Sequence, residues 1–194
     1  MEHMTSEDVG EFYQHYPRIA AVITAHSGEV DNAMTAAWHT PISFKPPLYG
    51  VAVSPKRRTY RMIVEAGEFG VNFLPALEAE LVAGIGGSKG DEVDKFDVFN
   101  IAKAEAVKTR VPLLASAYAA YECRLVDDRP YGDHRLLVGE IVATHWLASA
   151  FNEDGVLNLD AVSPVLYIGN EEYVTASNCS IKRLEREVYG KKSQ

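Results

Sequence analysis

The densest positive charge in the chain is Lys56-Arg57-Arg58, set between Ser54 and Thr59. Cationic side chains flanked by hydroxyl donors suit a dianionic phosphate. The cluster lies directly before a predicted helix from Tyr60 to Ala66, which Thr59 can cap and Gly67 can end. A helix N-terminus adds unpaired backbone N–H groups and the positive end of the helix dipole. The chemistry on offer is therefore anion capture at the start of a helix. A solvated basic loop with an ordinary threonine cap has the same composition, so these residues alone leave both readings open.

The rest of the chain makes that cluster an exception. Its 194 residues carry a net charge of −8, with 47 % hydrophobic and 24 % charged side chains. Such a balance fits an ordinary globular protein with a sizeable core. It argues against nucleic acid or an anionic membrane as partner. No apolar run is long enough to cross a bilayer, and the polar, acidic N-terminus is not that of a secretory signal. Cys123 and Cys179 give neither a disulfide framework nor the spacing of a zinc site. The expectation is a cytoplasmic protein with reduced thiols and no bound metal.

The elements that must position the cluster are mostly strands. Arg18 to Ala25 is a short apolar run, read as a buried strand ending at a turn over Ser27-Gly28-Glu29. Val30 to Trp38 follows as its partner. Pro41, Pro46 and Pro47 make Thr40 to Pro47 a connection, and Leu48 to Val53 a third strand stopped at Ser54-Pro55. Phe69 to Leu74 is another strand. Leu77 to Ile85 reads as a second helix with Leu77, Leu81 and Ile85 on one face, and the glycines 84, 86, 87 and 90 predict a loop. That loop lacks the spacing of a P-loop and follows a helix, so it is not a dinucleotide fingerprint either. Tyr121 to Leu125 and Leu136 to Val142 pair across a long tip, Asp127 to Asp133; Val165 to Ile168 is a late strand, and a charged segment or tail follows residue 180. Many antiparallel strands with two short helices suggest a closed or partly closed barrel.

Several blocks together resemble the flavin reductase-like family, closest to its flavoredoxin-like branch. They are Asn32 to Trp38, Pro46-Pro47-Leu48, Ser54 to Tyr60, Gly67 to Asn72, Asp94-Lys95-Phe96, and Gly132-Asp133-His134 with Val138 to Val142. They run in family order from about Tyr16 to Tyr167. The resemblance implies one mainly β domain over 1–194, an antiparallel split barrel of Greek-key type with a few peripheral helices and a core over about 16–168. It also implies FMN as cofactor. Ser54, Lys56, Arg57 and Thr59 would hold the phosphate. Asn32, Thr35, Ala36, Ala37 and Trp38 would follow the ribityl chain and ring, the small residues letting the backbone approach the ring. Lys95 would reach the flavin from the loop after the second helix, although it also reads as a surface lysine. His134, the one catalytic candidate, and Tyr167 would close the site. The family usually pairs as homodimers.

A flavin carries its own redox chemistry, and the protein supplies position and electrostatics. The resemblance therefore implies a flavin-dependent oxidoreductase, reduced by NADH or NADPH and passing electrons to a small-molecule or protein acceptor. The same residues would serve an FMN electron carrier reduced by a protein partner, or a non-redox barrel that binds a phosphorylated ligand.

Overall fold

The computed structural model describes residues 3–190. The start of the acidic N-terminal stretch, 1–2, and the end of the predicted tail, 191–194, lie outside the described residues. Among the described residues, twelve strands and four α-helices follow in chain order. These are β1 (Arg18–Ile19), β2 (Ala21–Ser27), β3 (Val30–Ala36), β4 (His39–Phe44), β5 (Pro47–Val53), α1 (Arg58–Ala66), β6 (Glu68–Phe73), α2 (Ala79–Gly87) and α3 (Lys95–Val98). After them come β7 (Lys103–Ala104), β8 (Leu113–Leu114), β9 (Ala119–Tyr131), β10 (His134–Trp146), β11 (Leu166–Gly169), β12 (Glu172–Val174) and α4 (Arg186–Tyr189). No helix among the described residues is long and apolar enough to cross a membrane.

The main sheet is antiparallel, in the order β3-β2-β6-β9-β10-β5-β4. Its two end strands, β3 and β4, are consecutive in the chain and joined through Ala37-Trp38, and the Ala52 N–H on β5 donates to the Trp38 carbonyl at that corner, at 2.8 Å, extending the β4–β5 pairing. This is the mainly β split barrel that the sequence predicts. The continuous apolar run of β2 follows from its place, since every residue from Ala21 to Ala25 is buried. Ile23 faces the barrel core with Val51, Val53, Phe69, Val71 and Leu137. Val22 faces the other way, into a second core with Leu74, Val82, Ile85, Phe96 and Val165. A strand covered on both faces has no polar side to alternate with.

Four local expectations are corrected. The predicted connection Thr40 to Pro47 is largely strand β4. It tolerates Pro41 because it lies at the sheet edge, paired only with β5 and with a register shift after Pro41. The predicted long tip Asp127 to Asp133 is mostly β9. Pro130 pairs with Arg135, and only Gly132-Asp133 turn the chain, with Gly132 at φ +63°. Proline fits there because β9 has lost its other neighbour: the pairing with β6 ends at Glu68–Arg124.

The predicted glycine loop is largely helix, because Gly84, Gly86 and Gly87 end α2. Close approach accounts for two of these glycines: a Cβ on Gly84 would meet the Phe99 ring at 2.7 Å, and one on Gly86 would meet Thr35 at 3.2 Å. Leu77 does not join the apolar face of that helix. It sits in a 3-10 turn before α2 and is 96 % exposed.

Inside the barrel, Gly139 on β10 faces the fully buried Phe69, whose ring would lie 2.5 Å from an added Cβ. Gly139→Val is expected to cost about 1–3 kcal/mol, the usual range for overpacking. Thermal unfolding would read this as a Tm several degrees lower, and an unchanged Tm would show that Phe69 has room to move.

Candidate functional site

Two cavities, of about 420 and 240 Å³, share Met34, Thr35, Ser54, Arg57 and His134 and so form one groove. Its wider end lies over the N-terminus of α1. Helix α1 starts at Arg58, and Arg57 is the cap residue, with extended backbone and no side-chain capping bond. This corrects the reading of Thr59 as cap. Thr59 lies inside the first turn, buried, and its Oγ1 accepts the Asn32 Nδ2–H at 2.9 Å. That bond ties β3 to α1 and leaves the threonine O–H free to donate.

Ser54 organises the approach to the helix. Its Oγ accepts the Lys56 N–H at 3.4 Å, and its carbonyl accepts the Arg57 N–H at 3.0 Å. The Lys56 and Arg57 side chains are exposed and have no ion-pair partner among the described residues. Their neighbours are engaged. Arg58 donates to the Gly90 carbonyl at 2.5 Å, Lys89 pairs with Glu92 at 2.9 Å, and Asp91 is held by Arg61 at 2.6 Å. Two uncommitted cations, a helix N-terminus and two hydroxyls thus face one end of the groove, which is the donor set a phosphate needs.

Lys95 is no surface lysine. It is 3 % exposed, and its ammonium donates to the Ala33 carbonyl at 2.8 Å and the Ile85 carbonyl at 2.7 Å. It stands on the short helix α3, started by Asp94, whose carboxylate accepts the Phe96 and Asp97 N–H groups. Burial, then the charge of Arg57, pull the Lys95 ammonium down to about 8. The side chain borders the groove between its basic end and β3.

The narrower end is built of β3 backbone and aromatic rings. Ala36, Ala37 and Trp38 form one wall, and Tyr167 on β11 lines the same space. Thr35 belongs here by position, but its hydroxyl already donates to the Val82 carbonyl at 2.6 Å. Trp38 is half-buried, not core, and its ring lies 4.9 Å from that of His134. His134 opens β10 directly after the hairpin turn, with its Nδ1 2.8 Å from Asp133 Oδ1. That hydrogen bond holds the Asp133 carboxyl below its usual range.

The structure thus brings all twelve sequence-predicted positions to one groove: Asn32, Thr35, Ala36, Ala37, Trp38, Ser54, Lys56, Arg57, Thr59, Lys95, His134 and Tyr167. It adds Glu11, Tyr13 and Tyr16, which the sequence reading left out. The signal for them was the aromatic density of Phe12-Tyr13-Gln14-His15-Tyr16, in a segment without periodicity.

A basic, helix-capped end joined to a flat end walled by small residues and rings has the shape of a site for a phosphorylated planar cofactor. Residues 13–176 match the family described as "Flavin reductase like domain", and the chain belongs to that family. It has the family's FMN-binding split-barrel fold. An FMN-binding protein of Thermus thermophilus, solved with bound 1-cyclohex-2-enone, is 32 % identical, with 94 % of this chain and 99 % of that chain covered and a TM-score of 0.84. The flavoredoxin of Desulfovibrio vulgaris (Miyazaki F) has the same fold at 21 % identity, with a TM-score of 0.82 over 96 % of this chain and 100 % of its own. An NADH-dependent FAD reductase of Streptomyces globisporus is 29 % identical over 135 residues, 69 % of this chain and 72 % of its own length.

Proposed function

We propose that the chain binds FMN in this groove and acts as an NAD(P)H-dependent flavin reductase that passes electrons to a further acceptor. The single observation that carries the reading is the continuity of the groove, from the unpaired Lys56 and Arg57 at one end to the Ala36–Trp38 wall at the other. Lys56, Arg57, Ser54, Thr59 and the N-terminus of α1 would hold the phosphate. Asn32 to Trp38, Lys95, His134 and Tyr167 would hold the ribityl chain and ring. The bound flavin supplies the redox chemistry, and the protein orients the ring and limits water around it. His134 stands where it could orient a nicotinamide or hydrogen-bond the ring. The identity to a named NADH-dependent FAD reductase supports the choice of donor. The enone bound by the Thermus thermophilus relative supports an acceptor that is a small cyclic carbonyl compound.

The test is the absorption spectrum of the purified protein with FMN, before and after anaerobic NADH or NADPH. Bleaching of the flavin band is expected. A protein that takes up FMN but is bleached by neither nicotinamide would be an electron carrier served by a protein partner. One that takes up no FMN would count against the whole reading.

Lys95 adds a pH dependence. An anion in the groove favours its charged form, and the free protein loses that charge as pH rises through about 8. FMN affinity is therefore expected to fall by about tenfold between pH 7 and pH 9.5. The same titration on Lys95→Met should be flat. A wild-type profile equally flat would place the ammonium outside the reach of the ligand.

We also propose a homodimer in a reducing compartment. Edge strand β4 exposes Phe44 at 92 % and Ile42 at 47 %, apolar area that a second copy would cover. Light scattering should give twice the chain mass of 21.4 kDa.

A further inference from the structure

Tyr16 stands at the ring end of the groove with a hydroxyl that the cofactor reading does not use. Its phenol oxygen accepts the Trp38 Nε1–H at 2.9 Å. A phenol that accepts through oxygen keeps its own O–H for another acceptor, and none is bonded to it among the described residues. The ring cannot readily swing away: Tyr13 stacks on it at 5.3 Å, and Tyr167 meets it edge-on at 5.8 Å. Trp38, which pins the oxygen, is held in turn by Phe12 at 5.7 Å and His134 at 4.9 Å. The result is a hydrogen-bond donor with a fixed origin, half-buried among aromatic rings.

The surroundings restrict what it can receive. Glu11 lines this end, while Arg57 lies where the two parts of the groove join. A carboxylate beside the donor disfavours a second anion there. The aromatic walls favour a planar or cyclic body. A further cavity of about 440 Å³ adjoins this end, sharing Thr35, Ala37 and Tyr167 with the part of the groove that Tyr16 lines.

We infer that Tyr16, oriented by Trp38, donates the hydrogen bond that holds the oxygen of a neutral cyclic carbonyl compound at the ring end of the groove. Tyr16 then selects the acceptor, and Trp38 acts on it as a positioning residue. A donor fixed on that oxygen also draws electron density toward it from a conjugated double bond. The inference rests on the reading of the groove as the FMN site.

The experiment uses the full chain and starts with FMN uptake. The FMN-loaded protein is then titrated with 2-cyclohexen-1-one, with cyclohexene as the oxygen-free control, and binding is followed by the shift of the flavin absorption band. Tyr16→Phe is expected to weaken 2-cyclohexen-1-one about three- to tenfold, the loss of one neutral hydrogen bond. Cyclohexene binding, measured on protein saturated with FMN, should stay within about twofold. Unchanged affinity for 2-cyclohexen-1-one overturns the assignment. Equal weakening of both ring compounds overturns it too, because the phenol would then serve packing alone. FMN uptake without any binding of 2-cyclohexen-1-one by the wild type sinks the inference and leaves the flavin reading intact, whereas no FMN uptake removes both.

Discussion

Arg57→Ala should weaken FMN about ten- to a hundredfold, the loss of one charge-assisted hydrogen bond, and should leave riboflavin within about twofold. Arg57 is the cleaner of the two changes open at this end. Its side chain is exposed and unpaired among the described residues, so its removal orphans nothing in the fold. Thr59→Ala removes a proposed phosphate donor as well, but it also takes away the acceptor of the buried Asn32 side chain, so it should weaken both flavins. Quenching of flavin fluorescence on titration measures each affinity. The FMN preference of the wild type should shrink as salt is added, because an exposed cation is screened within about 10 Å at 0.1 M. Equal loss of FMN and riboflavin in Arg57→Ala would move the phosphate away from α1.

The largest effect on stability is expected at Glu122, far from that chemistry. Its fully buried carboxylate on β9 accepts the N–H groups of Val107, Lys108 and Thr109 at 2.7–2.8 Å, the Thr109 hydroxyl at 2.8 Å, and lies 2.7 Å from His145 Nε2. Burial alone would raise its pKa. The hydrogen bonds together outweigh burial and take the carboxyl down to about 2. A carboxyl depressed in the fold stabilises it fully above its unfolded value of 4.5, and that contribution is lost as pH falls through about 2. The shift corresponds to about 3 kcal/mol.

Glu122→Gln turns an amide donor toward groups that are themselves donors. It should cost about 3–5 kcal/mol, as removal of a buried charge partner does. For a chain of this length that is on the order of 10 °C in Tm. It should also flatten the loss of stability between pH 4.5 and pH 2. A variant that melts with the wild type at neutral pH would show that the 107–109 loop finds other acceptors.

Where the sequence was misleading, the misleading residues have a common property. Pro41, Pro130 and the glycines of α2 are strong local punctuators, and each reads as an interruption when only neighbours in sequence are considered. Pro41 and Pro130 lie on free sheet edges, where a missing N–H costs no ladder bond. Gly84 and Gly86 are small because Phe99 and Thr35 come from elsewhere in the chain. Lys95 looked equally like a surface residue for the same reason. Its carbonyl partners, Ala33 and Ile85, lie 62 and 10 positions away.

By itself the sequence determined the class of fold, the basic cluster at the start of α1 and the residues that meet in the groove. Those features rest on local physics: apolar runs of strand length, a basic cluster at a helix start, and blocks of residue types kept in a family's order. The tertiary structure decided what each side chain is free to do. It joined the basic end of the groove to its aromatic end by running β3 directly into β4, bound Thr59 to Asn32, buried Lys95 between two carbonyls, and set Tyr16 against Trp38 with its hydroxyl still open. Hydrogen-bond partners are set by proximity in space, and β pairing brings together residues that lie tens of positions apart in the chain.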